Sequence, residues 1–185
     1  RWLDTDLGLT KHQQVFVLHV DYLDRTTDGS GLLTEATGDA VQALSAGAWF
    51  APQFAAERVP TMAALVAFLN RTHTNANIEL KAVVGDNANA LADELCRQFA
   101  QALDQLDVEI LVSSFSPIML LKLQALRPQT RCAVLFTQAT RDDSWLLTAQ
   151  ACHAVAIHPE STGLTRADIQ TMHAHGYAVN VWTID

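Results

Sequence analysis

Short apolar runs, each followed by a helix-length amphipathic or polar segment, recur almost from end to end of this chain. That alternation limits its possible folds more than any other feature. The runs are Trp2–Thr10, Val15–Val20, Asn77–Val83, Val108–Ser113, Cys132–Phe136, Ala154–His158 and Ala178–Ile184. Each is short and rich in Val, Ile, Leu or Phe, which predicts strands. Between them, Pro60 and Thr61 open a helix carrying Met62, Leu65, Val66 and Leu69 on one stripe. Leu91, Leu95, Phe99 and Leu103 recur every four residues, so the spacing predicts an amphipathic helix over Asn87–Leu106. Ser116 and Pro117 supply a cap and a first-turn proline for a helix ending before Pro128. Asp142–Ala151 reads as a shorter helix. Thr165 caps a last one, which Gly176 closes.

Strand–helix–strand alternation implies a mainly parallel sheet with helices packed outside it. An open doubly wound sheet would carry a Gly-rich loop after its first strand, and none is present. The strands instead place polar residues at alternate positions near their C-terminal ends. This predicts an α/β TIM-type (β/α)8 barrel, whose C-terminal mouth holds the active site. The stretch 21–59 breaks the pattern. It is long and aperiodic, with the aromatic pair Trp49 and Phe50, and reads as an irregular active-site loop of a single domain, 1–185.

Composition narrows the function. Twelve Lys and Arg against 20 Asp and Glu give a net charge of −8, which argues against a nucleic-acid or anionic-membrane partner. No run approaches the ~18 apolar residues of a membrane helix. Three cysteines without metal-type spacing read as buried thiols in a reducing compartment, so the expected location is cytoplasmic.

Side-chain alternation then picks out candidate residues. Asn77, Glu79 and Lys81 share one strand face and Ile78 and Leu80 the other. Glu79 and Lys81 are either an ion pair at a strand end or groups that work in the barrel mouth. Asp4 and Asp6 share a face two residues apart. If they converge with Glu79, three carboxylates require raised pKa values or a cation, and oxygen-only ligands suit Mg²⁺ or Ca²⁺. His19 closes its apolar run on the face of Val15 and Val17. It is a structural histidine, or, beside a metal, a general acid or base. His158, before Pro159, is a further candidate for ligand contact, whereas His173 and His175, two apart on a helix, make a poor metal pair.

Taken together, these residues resemble the glycerophosphodiester phosphodiesterase family. LDTDLGLTKHQQVFVLHVDYLDRTTDGSG is similar to its Glu-x-Asp strand, Leu-Thr-Lys turn, His-Asp pair and Arg-Thr-Thr loop. VPTMAAL, NIELK, LVSSFSPIMLLKLQALRP and AHGYAVNVWTID resemble its later motifs, in the family's order. The resemblance implies metal-dependent hydrolysis of glycerophosphodiesters to sn-glycerol 3-phosphate and an alcohol, on a small-molecule substrate. It implies Asp4, Asp6 and Glu79 as ligands of a divalent ion, Mg²⁺ or Ca²⁺. It further implies His19 as one of two catalytic histidines, Lys81 near the phosphate and Trp182 beside the substrate. Four departures stand out: Asp4 in place of glutamate, Val20 in place of the aspartate after the histidine, His12 and Gln13 in place of an Asp-Gly turn, and Asp185 in place of asparagine. The family's opening His-Arg-Gly strand and its final segment have no counterpart, so the chain reads as a barrel short by roughly 65 of about 250 residues. Two other readings remain at this stage: a catalytically silent barrel or fragment that binds a phosphorylated ligand or a partner, and a related phosphodiesterase acting on lysophospholipids.

Overall fold

The computed structural model describes residues 1–19, 21–83 and 86–184. The elements are β1 (Trp2–Leu9), β2 (Val15–Val17), α1 (Gly38–Ala43), α2 (Met62–Thr72), β3 (Asn75–Leu80), α3 (Ala88–Leu103), β4 (Ile110–Ser114), α4 (Pro117–Leu126), β5 (Cys132–Phe136), α5 (Trp145–Ala151), β6 (Ala156–Pro159), α6 (Arg166–Ala174) and β7 (Ala178–Val179). The sheet order is β2-β1-β3-β4-β5-β6-β7. Every pairing is parallel except β1 with β2. β3 lies beside β1, and from β4 onward each strand lies beside its predecessor, the winding of a (β/α) barrel. Residues of β1, second from one end of the sheet, and of the β7 segment at the other end line one cavity, so the sheet wraps around it.

The helices form where apolar spacing and capping coincide. Thr61 accepts a bond from Ala64 N and starts α2, and His73 ends it in the left-handed region. Thr165 and Asp168 close a reciprocal capping box on α6. Gly176, at φ 88°, follows the C-terminal end of α6, where a side chain would be strained. Ser116 stands before Pro117 as expected, but its side chain makes no capping bond.

Two layers divide the apolar residues. Ile78 and Leu80 of β3, Val112 of β4, Val134 and Phe136 of β5 and Ile157 of β6 point outward. They meet Leu95, Phe99, Leu120 and Leu123 of the helices in one large core. The inward positions instead form a small floor of Leu111, Ala133 and Ala156. Above that floor the inward side chains turn polar, and the cavity begins.

The predicted strand Val15–Val20 requires correction. Only Val15–Val17 is extended, and it runs antiparallel to β1 as the return arm of a hairpin. Val20 lies outside the described residues, as does Asp185. The segment predicted as Ala178–Ile184 is a strand only at Ala178–Val179, with an isolated bridge between Trp182 and Glu160 further on. The stretch 21–59 folds into short 3-10 turns and α1 over a small core of its own, with Phe16, Leu18, Leu23, Leu33, Val41 and Val59 buried together.

Candidate active site

The register of β1 on β3 builds the centre of the site. Asp4 lies opposite Asn77 and Asp6 opposite Glu79. Alternation turns all four, with Lys81, into the cavity. Lys81 Nζ sits 2.9 Å from Asp6 Oδ1 and 3.0 Å from Glu79 Oε1. The ammonium therefore bridges two carboxylates at the C-terminal ends of adjacent parallel strands. Burial, together with the facing Asp6 carboxylate, pushes Glu79 up to about 7 against the pull of Lys81. Burial opposes the charge on Lys81, yet the bonds and fields of Asp6 and Glu79 outweigh it and raise its pKa.

Asp4 takes a different partner. Asn77 Nδ2 donates to Asp4 Oδ1 at 2.6 Å and also reaches Ser113 Oγ at 3.0 Å. Among the described residues no three His, Cys, Asp or Glu side chains already converge as a cation cage. The chemistry of the donors nonetheless fits a hard divalent ion. Asp4, Asp6 and Glu79 offer only oxygen, and one ammonium leaves the carboxylates undercompensated.

His19 reaches the site by a route the sequence reading did not foresee. Because β2 is antiparallel, its end points away from the sheet's C-terminal mouth. However, β1 overshoots its neighbours, and the Thr10–Gln14 turn reverses the chain, with Thr10 N bonded to Gln14 O. The return arm comes back level with Asp6, where Leu18 N donates to Asp6 O at 3.1 Å. His19 thus lies beyond the strand and lines the cavity with Asp6, Glu79 and Lys81. Arg25 Nη2 is 2.9 Å from His19 Nδ1. A guanidinium can only donate, so Nδ1 accepts and the ring proton resides on Nε2.

The far wall comes from the last strands. Trp182 Nε1 donates to His158 O at 2.9 Å and its ring meets Phe115 edge to face, centroids 5.4 Å apart. Asn180 Nδ2 lies 2.9 Å from His158 Nε2. The whole cavity, about 810 Å³, holds Asp4, Asp6, His19, Glu79, Lys81 and Trp182 together. Sequence reading had not singled out Ser113, Phe115 or Asn180, nor a role for Arg25 at His19. The first three carry a usable signal, since Leu111, Ser113 and Phe115 alternate as Ala178, Asn180 and Trp182 do.

The sequence model of the glycerophosphoryl diester phosphodiesterase family matches residues 1–185. The chain belongs to that family. YhdW of Bacillus subtilis (strain 168), named for the same activity, is 31% identical over 192 residues, covering 99% of this chain and 74% of the relative. A glycerophosphodiester phosphodiesterase of Caldanaerobacter subterraneus is 25% identical over 185 residues, covering 99% of this chain and 73% of its own. In structure, a phosphodiesterase of Oleispira antarctica solved with its product sn-glycerol-3-phosphate superposes with a TM-score of 0.91. It covers all of this chain and 73% of the other at 24% identity, which establishes a shared fold. The barrel class read from the sequence is therefore that of the glycerophosphoryl diester phosphodiesterases. No helix among the described residues is long and apolar enough to cross a membrane.

Proposed function

We propose that the full-length protein hydrolyses glycerophosphodiesters to sn-glycerol 3-phosphate and an alcohol, using Mg²⁺ or Ca²⁺ held by Asp4, Asp6 and Glu79. The observation that carries this reading is the Asp6–Lys81–Glu79 bridge beside His19 and Trp182 in one cavity. When bound, the ion would supply positive charge against the phosphate oxygens. Lys81 adds a second positive contact, held charged by the two carboxylates it bridges. His19, accepting from Arg25 at Nδ1, presents Nε2–H as a hydrogen-bond donor to a phosphate oxygen while water bonds to phosphorus and the ester P–O bond breaks, the proton the water loses ending on the departing alcohol oxygen. Trp182, tethered to β6 and braced by Phe115, keeps water from one side of the substrate. The expected location is the cytoplasm.

The test is release of sn-glycerol 3-phosphate from a glycerophosphodiester by the full-length protein, with and without chelator. Turnover that stops on chelation and returns with a divalent ion supports the proposal. Undiminished turnover in chelator removes the metal, and no turnover under either condition removes the activity. The engagement of both Asp6 and Glu79 by Lys81, together with the tie of Asp4 to Asn77, favours a second reading, a catalytically silent barrel. That reading gains from the last of these outcomes, provided glycerol 3-phosphate still binds.

A further inference from the structure

One imidazole on the cavity wall takes no part in the chemistry just described. His158 is 5% exposed. It shares the inward face of β6 with Ala156, while Ile157 between them packs into the outer core. Its Nε2 meets the amide nitrogen of Asn180 at 2.9 Å. An amide nitrogen can only donate, so Nε2 accepts and the neutral ring carries its proton on Nδ1. The pair is fixed by the backbone. Asn180 N donates to Ile157 O at 3.1 Å, Trp182 N to Pro159 O at 3.2 Å, and the Trp182 indole to His158 O. Burial pushes this imidazole down to about 4, against the opposing field of Asp4, which keeps it neutral at physiological pH.

Nδ1–H has no protein partner among the described residues. The same is true of Asn77 Oδ1, a buried acceptor on another wall of the cavity. Asn77 Oδ1 is shut off from solvent, whereas His158 Nδ1–H opens onto the cavity and leaves a donor for a ligand to satisfy. A neutral hydroxyl oxygen, which can accept that bond, is the matching group. The neighbours sort the substrate's parts accordingly. Charged Lys81 suits the phosphate. His158, Asn180, Asn77 and Ser113 are neutral hydrogen-bonding groups, suited to a polyol, above a floor of Leu111, Ala133 and Ala156.

We propose that His158, oriented by Asn180, determines specificity by donating from Nδ1 to a hydroxyl oxygen of the substrate's glycerol arm. The inference rests on the phosphodiesterase reading and deepens it: the ligand class at this wall is a vicinal diol, bound through a neutral donor.

The test compares two substrates on the full-length enzyme. Glycerophosphocholine carries the diol, and bis(4-nitrophenyl) phosphate does not. His158→Leu should raise KM for glycerophosphocholine about tenfold, the loss of one good hydrogen bond. Its kcat should stay within about twofold, and the kinetics on the diol-free diester should not change. His158→Asn, whose amide can stand where Nδ1 stood, should recover most of the lost affinity. A purely structural role would instead depress both substrates alike and lower the melting temperature with both variants. Equal losses on the two substrates, or none on either, overturn the assignment while leaving the phosphodiesterase reading intact. A wild-type enzyme inactive on both overturns that reading, and this inference with it.

Discussion

Replacing Glu79 by glutamine should remove a measurable pH dependence from the stability of the metal-free protein. Glu79 is mostly buried, with its side chain 12% exposed, and its pKa rises from 4.5 to about 7. That displacement corresponds to about 3.4 kcal/mol against the ionised form. Because the carboxylate opens onto the cavity, solvent screening reduces the expected contribution to about 2 kcal/mol. The sign follows from proton counting. Between pH 4.5 and 7 the folded protein holds this proton more tightly than the unfolded chain does, so stability falls as pH rises through that window. Glutamine cannot ionise, so Glu79→Gln should be the more stable protein at pH 8 and nearly equal to wild type at pH 4.5. For a domain of this size the gap at pH 8 is about 6 °C in melting temperature. Thermal unfolding of both proteins in chelator, followed by circular dichroism from pH 4.5 to 8, reads the difference directly. A divalent ion should reverse the order at pH 8, because it stabilises the ionised carboxylate that only wild type possesses. Difference curves that are flat with pH, or that slope the other way, would refute the electrostatic reasoning.

Four further outcomes are expected. His158 has the opposite linkage: its pKa is depressed from 6.5 to about 4, so its contribution is present above pH 6.5 and lost as pH falls towards 4. Relative to His158→Asn, wild type should lose stability as pH falls across that window. Arg25→Ala removes the bond that fixes the His19 tautomer and should lower kcat about tenfold with an unchanged melting temperature; full activity would make Arg25 a bystander. Phe99→Ala empties a fully buried site against the sheet and should cost about 3–5 kcal/mol in denaturant unfolding. Burial raises the Cys96 and Cys132 thiols to about 11 and 12, so neither should react with iodoacetamide at pH 8 until the protein unfolds.

The shared facing of Asp4, Asp6, Asn77, Glu79 and Lys81 was legible because it depends only on the two-residue period of a strand. The α3 stripe was legible because four-residue spacing survives in any helical context. What escaped was the partner choice of these side chains. No pattern says that Lys81 bridges Asp6 and Glu79 while Asp4 turns to Asn77, since that depends on inter-strand register. The direction of β2 escaped for a related reason. A run such as Val15-Phe16-Val17-Leu18-His19 reads the same in a hairpin and in a parallel sheet, and only the closing bond at Thr10 and Gln14 decides. The pairing of His158 with Asn180 joins residues 22 apart, one on β6 and one just past the end of β7. Only the inward phase of both strands hinted at it.

The sequential strand order also sets a timetable on the ribosome. The Asp6–Lys81–Glu79 bridge needs only β1 and β3, so its parts have all left the exit tunnel long before β6 and β7 are made. The neutral wall of His158, Asn180 and Trp182 emerges well after it. A nascent chain would therefore present its concentrated negative charge to solvent ions on a half-formed sheet until the later strands are made. Whatever cation the medium supplies would meet that charge before the neutral wall exists.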